Sequence, residues 1–399
     1  MAEATKRSKL PVFRPENADA QDWYELRGSA DDRKLVVGAP AEAEVLVGVP
    51  DVFSGPAGWG HNVLRAVELA AAEVNEAGGV LGEPVRVIWV DDSCDADQAV
   101  AAAQKMVAAD VDFVMGHTCS HAAIAASKVY DEAGIIYMTA YATDPRLTEQ
   151  GLRNVFRLRG RNDQIAALVT GYLAEHWADE QIAIVHDGRV YGRYLADTVK
   201  HGLNELGIAE TLYEEVTAGQ LDFTALVAKL HSAGIDVVFM GGYPLEAGLL
   251  KRRAHEAGVE FQLVGGGAIH DEEFGLAAGD AAAEGTLTFD APIAREQAAA
   301  RARAAYLERY PEQPGNPGED WHYLSYVAFH VWAAAVERAG SLDLRAVSGV
   351  LHGQKFDTML GVIWFDQKGD LAGIEPWRWV IWQNGELVPI DRDELPTND

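Results

Sequence analysis

Residues 112–130, DFVMGHTCSHAAIAASKVY, decide how the chain is read. VDFVMG is short, apolar and closed by glycine, as a buried parallel strand is, while HAAIAASKVYDEAG has the composition of a helix. HTCS between them is a strand-to-helix turn. In doubly wound sheets, ligands sit at such turns, outside the carboxyl ends of the strands. The alternation extends outward. EVLVGV, VRVIWV and GIIYM are predicted strands, and NVLRAVELAAAEVNEAGG and ADQAVAAAQKMVAAD are predicted helices with apolar residues three and four apart. The first of these helices stops at a Gly-Gly pair suited to a C-cap.

After VFRLRGRND the pattern begins again. QIAIVHD, TLYEEVT, DVVFMGG and FQLVGGG are predicted strands, with helices over 164–177, 191–206, 223–233 and 245–257. Helical stretches follow at 295–310, 323–339 and 344–351. FDTMLGVIWFD and WRWVIWQNGELVPI then predict strands, with a hairpin turn at Asn384-Gly385. Two successive sets of βα units predict an α/β fold of two doubly wound parallel-sheet lobes. A chain of 399 residues, 48% hydrophobic and 9% aromatic, has core material for both. Residues 1–43 show no sustained period and read as a flexible or loosely docked arm.

With 61 acidic against 33 basic residues, the formal charge of -28 repels phosphate backbones and anionic lipid, which argues against nucleic acid as a partner. No apolar run approaches the roughly 20 residues that span a bilayer, so membrane insertion is not expected. The N-terminus carries basic residues without an apolar core behind them and is no secretory signal as written. Two expectations stay open: an exported protein whose leader is missing here, or a cytoplasmic one.

Ser120 stands where an N-cap is expected, with the first N–H groups of the helix available to an anion. A carboxylate could accept from its hydroxyl and those amides together; a plain cap is the alternative. TAYATDPRLT is a second turn after a strand, where Thr143 offers a hydroxyl in a loop stiffened by Pro145. An ordinary Thr-Asp-Pro turn explains it equally.

Catalysis and metals find little support. His117, Cys119 and His121 lack a fourth ligand nearby for zinc. A nucleophilic Cys119 would need an orienting base, and His121 is too close in sequence to serve. His121 and His270 are the only candidate bases on the expected cleft turns, and no third residue activates either; a histidine there hydrogen-bonds a ligand or caps a helix. Gly55, Gly58 and Gly60 of FSGPAGWGHN imitate part of a dinucleotide fingerprint, but the spacing departs from it, and Pro56 and Trp59 suit a pyrophosphate turn poorly. No catalytic residue, metal or cofactor is expected.

Together SGPAGWG, ELAAAEVNEAGGVLG, DDSCDADQAVAAAQKMV, GHTCS, TAYAT, QIAIVHDGRVYG, DVVFMGGY and FDQKGDLAG, in this order from about Glu44 to Asn384, resemble the leucine/isoleucine/valine-binding proteins, the type I periplasmic solute-binding receptors of ABC transporters. The resemblance implies two lobes joined by three crossovers, near residues 159–162, Asp290 and residues 373–376, with a ligand enclosed as the lobes hinge shut. Lobe one is then 44–160 with 290–372, lobe two 161–289 with 373–392, and 393–399 a C-terminal tail. Cys94 and Cys119 match the family's disulfide, which requires an oxidising compartment.

Carried over by position, Ser120 and Thr143 fall on the hydroxyls that grip a ligand carboxylate, and Tyr141 on a backbone position that receives its amino group. Trp59 falls on the aromatic wall of lobe one. Tyr191 and Tyr243 fall on the tyrosines of lobe two, and His121 joins the candidate ligand set. One departure is large: the glutamate of the amino-acid binders is replaced by Gly267, and a second acid by Asn162. A buried ammonium without a carboxylate is costly. Either Asp144, Glu246 or Asp271 serves it, or the ligand is an acid, aromatic or otherwise, or an amide, without an ammonium; the second is the expectation. The implied partners are a small carboxylate and ABC permease subunits. A cytoplasmic ligand sensor of amide-sensing-regulator type on the same fold is the alternative.

Overall fold

The computed structural model describes residues 44–54, 59–291, 295–311 and 322–397; the expected arm, and Gly55, Pro56 and Gly58, lie outside them. Strands β1 (Val45–Asp51), β2 (Val85–Asp91), β3 (Phe113–Met115), β4 (Ile136–Thr139) and β5 (Val155–Arg157) form a parallel sheet in the order β2-β1-β3-β4-β5. Its crossing helices are α1 (Trp59–Glu76), α2 (Ala96–Ala108) and α3 (Ser120–Ala133). Every residue of β1 is buried. Val45, Val47 and Val49 face a cluster with Phe113 and Trp332, while Leu46 faces Met106 and Ala126 on the other side. Burial on both faces explains the near-continuous apolar run of this strand.

The chain then enters a second sheet through α4 (Asn162–His176). This helix starts two residues before its apolar pattern does, because Gln164 Oε1 accepts the Arg161 N–H at 2.7 Å. Strands β6 (Ile182–His186), β7 (Leu212–Glu215), β8 (Val237–Gly241), β9 (Gln262–Gly265) and β10 (Leu287–Asp290) alternate with α5 (Val190–Glu205), α6 (Thr224–Ser232), α7 (Pro244–Glu256), α8 (Glu272–Ala278) and α9 (Asp280–Ala283). After β10, helices α10 (Glu296–Arg309), α11 (Tyr323–Ala339) and α12 (Leu344–Gly353) return to the first sheet, where α11 packs on α1. A small antiparallel sheet, β11 (Phe356–Thr358), β12 (Gly361–Phe365) and β13 (Leu371–Ala372), follows and is tied to the first sheet by a bridge between Arg157 and Asp370.

Finally β14 (Arg378–Gln383) and β15 (Glu386–Pro389) complete the second sheet, in the order β15-β14-β10-β9-β8-β6-β7. Asn384 and Gly385 both have positive φ, 54° and 80°, as a two-residue hairpin of this twist requires. The last residues also pack: Leu395 is buried in the second core and Tyr172 donates to the Pro396 carbonyl at 2.6 Å. No helix among the described residues is long and apolar enough to cross a membrane.

Both sheets carry the same reversal of strand order, at β1/β3 in the first and β6/β8 in the second. Loops on either side of such a reversal leave in opposite directions and open a crevice. The turns after β1, β3 and β4, and after β6, β8 and β9, therefore bring Trp59, Ser120 and Thr143 opposite Tyr191, Tyr243 and Gly267.

Candidate functional site

A cleft of about 580 Å³, open solvent at its mouth included, lies between the two sheets. One wall carries three hydroxyls. Thr143 Oγ1 is buried and has no hydrogen-bond partner. Ser120 is not the N-cap that its position predicted. The cap is Cys119, and Ser120 is the first helical residue; its Oγ accepts from the Asp144 N–H at 3.3 Å, which leaves its own proton to give. Thr118 donates to Asp51 Oδ2 at 3.0 Å and presents lone pairs to the cleft.

Asp51 is fully buried beneath this wall, and burial together with Asp92 pushes its carboxyl up to about 7. The folded chain therefore binds this proton more tightly than the unfolded one, whose carboxyl titrates near 4. The resulting stability is fully present below about pH 4 and is lost as pH rises through 7. Asp51→Asn is expected to flatten the dependence of the urea midpoint on pH between 4 and 7; a slope identical to that of the parent would contradict the assignment.

Aromatic rings from both sides roof the cleft. Trp59, the first residue of α1, lies on Tyr243, the cap of α7, with ring centres 5.6 Å apart and planes at 26°. Its indole N–H donates to Asp271 Oδ2 at 3.0 Å. Tyr191 packs at 5.3 Å from Tyr243, and its hydroxyl accepts from the Ala268 N–H at 3.0 Å. Trp59 thus joins the two sheets across the cleft through Tyr243 and Asp271.

Comparison with known proteins gives the same picture. Residues 44–386 match the family described as periplasmic binding protein. This chain belongs to that family. It is 40% identical over 362 residues to "Leu/Ile/Val-binding protein homolog 1" of Brucella abortus (strain 2308), covering 90% of this chain and 96% of the relative. It is 36% identical over 354 residues to "Leu/Ile/Val-binding protein BraC3" of Rhizobium johnstonii, covering 88% and 95%. The fold is shared with the leucine-binding protein LivK of Thermotoga maritima (TM-score 0.75, 24% identity, 88% of this chain and 100% of that one). It is likewise shared with the isoleucine complex of LivJ from Streptococcus pneumoniae (TM-score 0.75, 22% identity, 87% and 100%).

Cys94 and Cys119 are joined, with Cα atoms 5.5 Å apart, and staple the turns after β2 and β3. The cleft brings together every candidate residue except His121. That side chain is turned onto the staple instead, with Nε2 at 2.6 Å from the Cys94 carbonyl, so it braces a turn and does not line this cleft.

Gly267 opens a short 3-10 turn, and a Cβ there would stand 3.2 Å from both Ile165 and the Trp377 ring. No side chain projects from it. The three acids that could replace the missing glutamate are engaged. Asp144 pairs with Arg146 at 2.6 Å, and Glu246 accepts from Arg189 at 3.2 Å and from the Gly219 N–H at 2.7 Å. Asp271 reaches the cleft wall but is held by Trp59 and by the Glu273 N–H at 2.9 Å, and burial raises its carboxyl. Asn162 is buried beside Thr143, its amide atoms without partners.

Five residues of the wall escaped the sequence reading: Thr118, Ala268, Arg159, His322 and Trp377. Arg159 is only 4% exposed, yet its Nη2 has no hydrogen-bond partner. Its guanidinium lies between the rings of Tyr141 and Trp377, at 5.3 and 5.0 Å from their centres. His322 packs at 4.6 Å from the Tyr141 ring, and burial, His270 and Arg159 together push it down to about 3. His270 is also lowered, by burial and Arg159, and its Nδ1 bonds to the Gly267 carbonyl. Both imidazoles are neutral at pH 7. A clue existed in RLRGR: Arg157 and Arg161 share Asp370, while Arg159 pairs with no acid among the described residues. No group of three or more metal-ligating side chains converges among the described residues.

Proposed function

We propose that this chain is an extracytoplasmic receptor of an ABC importer that encloses a small carboxylate lacking an ammonium group. Lobe one, 44–160 with 290–372, and lobe two, 161–289 with 373–392, hinge about the three crossovers. The observation that carries the ligand class is the hydroxyl wall: Thr143 Oγ1 is buried without a partner and Ser120 holds a free proton beside it. Buried hydroxyls in native proteins are normally satisfied, so an orphaned one at a cleft is explained by a ligand acceptor. Relatives named for leucine, isoleucine and valine support an amino-acid-like carboxylate. Asp144 and Glu246 are paired with arginines and burial raises the Asp271 carboxyl, which argues that an ammonium has no ready counter-charge in these three acids.

The disulfide supports placement outside the cytoplasm, since such bonds persist in oxidising compartments. Closed lobes would then dock on permease subunits. Isothermal titration of the protein with leucine and with monocarboxylates such as benzoate and hexanoate tests the reading. Ser120→Ala is expected to weaken carboxylate binding by about 1.5–3 kcal/mol, the loss of one bond to a charged acceptor. Tight leucine binding would overturn the exclusion of an ammonium, and an unchanged affinity in the variant would overturn the hydroxyl wall.

A further inference from the structure

The hydroxyl wall leaves a positive charge unexplained. Arg159 is buried, lines the cleft and has a partnerless Nη2. Asp290, which feels Arg159 electrostatically, is already spent on Arg378 at 3.0 Å and on the Ala291 N–H at 2.7 Å. Two guanidinium groups therefore share one carboxylate. The neighbouring histidines add no charge of either sign at neutral pH, because burial and Arg159 itself hold both imidazoles below their ordinary range.

An uncompensated buried cation costs several kcal/mol. A fork of N–H donors sandwiched between two rings is also stiff, and it is suited to a planar oxyanion. His322 Nδ1 is likewise buried and unpartnered, with its ring 4.6 Å from that of Tyr141.

The hydroxyl wall and the guanidinium have no partner in common. Thr118 and Ser120 are tied to Asp51 and Asp144, whereas Arg159 packs on Tyr141 and Trp377, at the end of the cleft where the crossovers meet. We infer that Arg159 forms a second anion subsite and that the ligand is a compact dicarboxylate, one acid on the hydroxyl wall and the other on Arg159, with its apolar body under Trp59 and Tyr243. This deepens, and rests on, the reading of the cleft as a carboxylate receptor.

The test compares benzoate with terephthalate and hexanoate with adipate, by titration calorimetry, on the parent protein and on Arg159→Met, Arg159→Lys and Ser120→Ala. In the parent, the diacid of at least one pair should bind at least about tenfold more tightly than its monoacid, a difference of about 1.4 kcal/mol. Arg159→Met should weaken the diacid more than its monoacid, abolishing that preference, and raise the melting temperature of the ligand-free protein by removing an unpaired charge. Arg159→Lys, which keeps the charge without the fork, should retain part of the preference.

Monoacids binding as tightly as diacids, neither diacid binding, or Arg159→Met weakening both members of a pair equally would each overturn the second subsite. Mass spectrometry of small molecules released on denaturing the purified protein is a second check: a compound with two acid groups supports the inference, one with a single acid overturns it. Ser120→Ala separates the two readings. Unchanged affinities in that variant count against the hydroxyl wall, whatever Arg159 does.

Discussion

Arg157→Ala is expected to destabilise the protein by about 3–5 kcal/mol, the usual result of stranding one member of a buried ion pair. Arg157 is fully buried. It bonds through Nε and Nη2 to Asp370, through Nη1 to the carbonyls of Ala142 and Asp144 at 3.1 and 2.8 Å, and through Nη2 to Thr148 Oγ1 at 2.8 Å. Its removal leaves Asp370, itself 5% exposed, with Arg161 and Thr148 alone, and it strands two carbonyls. Burial lowers the guanidinium's affinity for its proton and Asp370 restores it, so the pair is self-consistent only when complete.

The carbonyls it holds belong to the loop that presents Tyr141 and Thr143 to the cleft, so ligand affinity should fall together with stability. Urea unfolding followed by tryptophan fluorescence measures the first effect. A loss under about 1 kcal/mol would show that the network contributes little. Replacing both partners, Arg157→Met with Asp370→Leu, should cost less than the single change, because no buried charge is then left unpaired.

The second large effect is expected at the disulfide. Its closed loop spans 25 residues, for which chain entropy gives about 3.5 kcal/mol. The double variant Cys94→Ala with Cys119→Ala should therefore melt roughly 7–14 °C below the parent, at the few degrees per kcal/mol usual for domains of this size. The bond fixes the start of α3 through Cys119 and the turn in which the Asp92 carboxylate meets His117 Nδ1 at 2.7 Å. Its loss should loosen the wall that carries Thr118 and Ser120. Calorimetry with and without reductant checks this. Identical melting of the parent under both conditions would contradict the estimate, as would free thiols in protein taken from its host.

The strands and helices were legible because their periods are local. Val45, Val47 and Val49 alternate with Leu46, and α5 and α7 begin within one residue of where their patterns start. The turns that line the cleft follow from the same pattern, since they are what remains at the carboxyl ends of strands. Ser120 shows where local reading stops. One residue separates a cap from the first helical position, and Cys119, bonded to a cysteine 25 residues away, takes the cap. For His121, composition said nothing about which way the ring turns.

Chain periodicity alone determined two doubly wound sheets and the Ser120 and Thr143 turns, since burial of alternating faces acts on near neighbours; the aromatic residues Trp59, Tyr191 and Tyr243 came from the resemblance. Only the tertiary structure decided the charge of the cleft. Whether an arginine is spent or free depends on an acid more than 200 residues away, as Asp370 is from Arg157 and Arg161. Arg159, His322 and Trp377 likewise become one wall only after the chain has passed repeatedly between its sheets. Coulomb energies follow distance in space and burial, which no local pattern encodes.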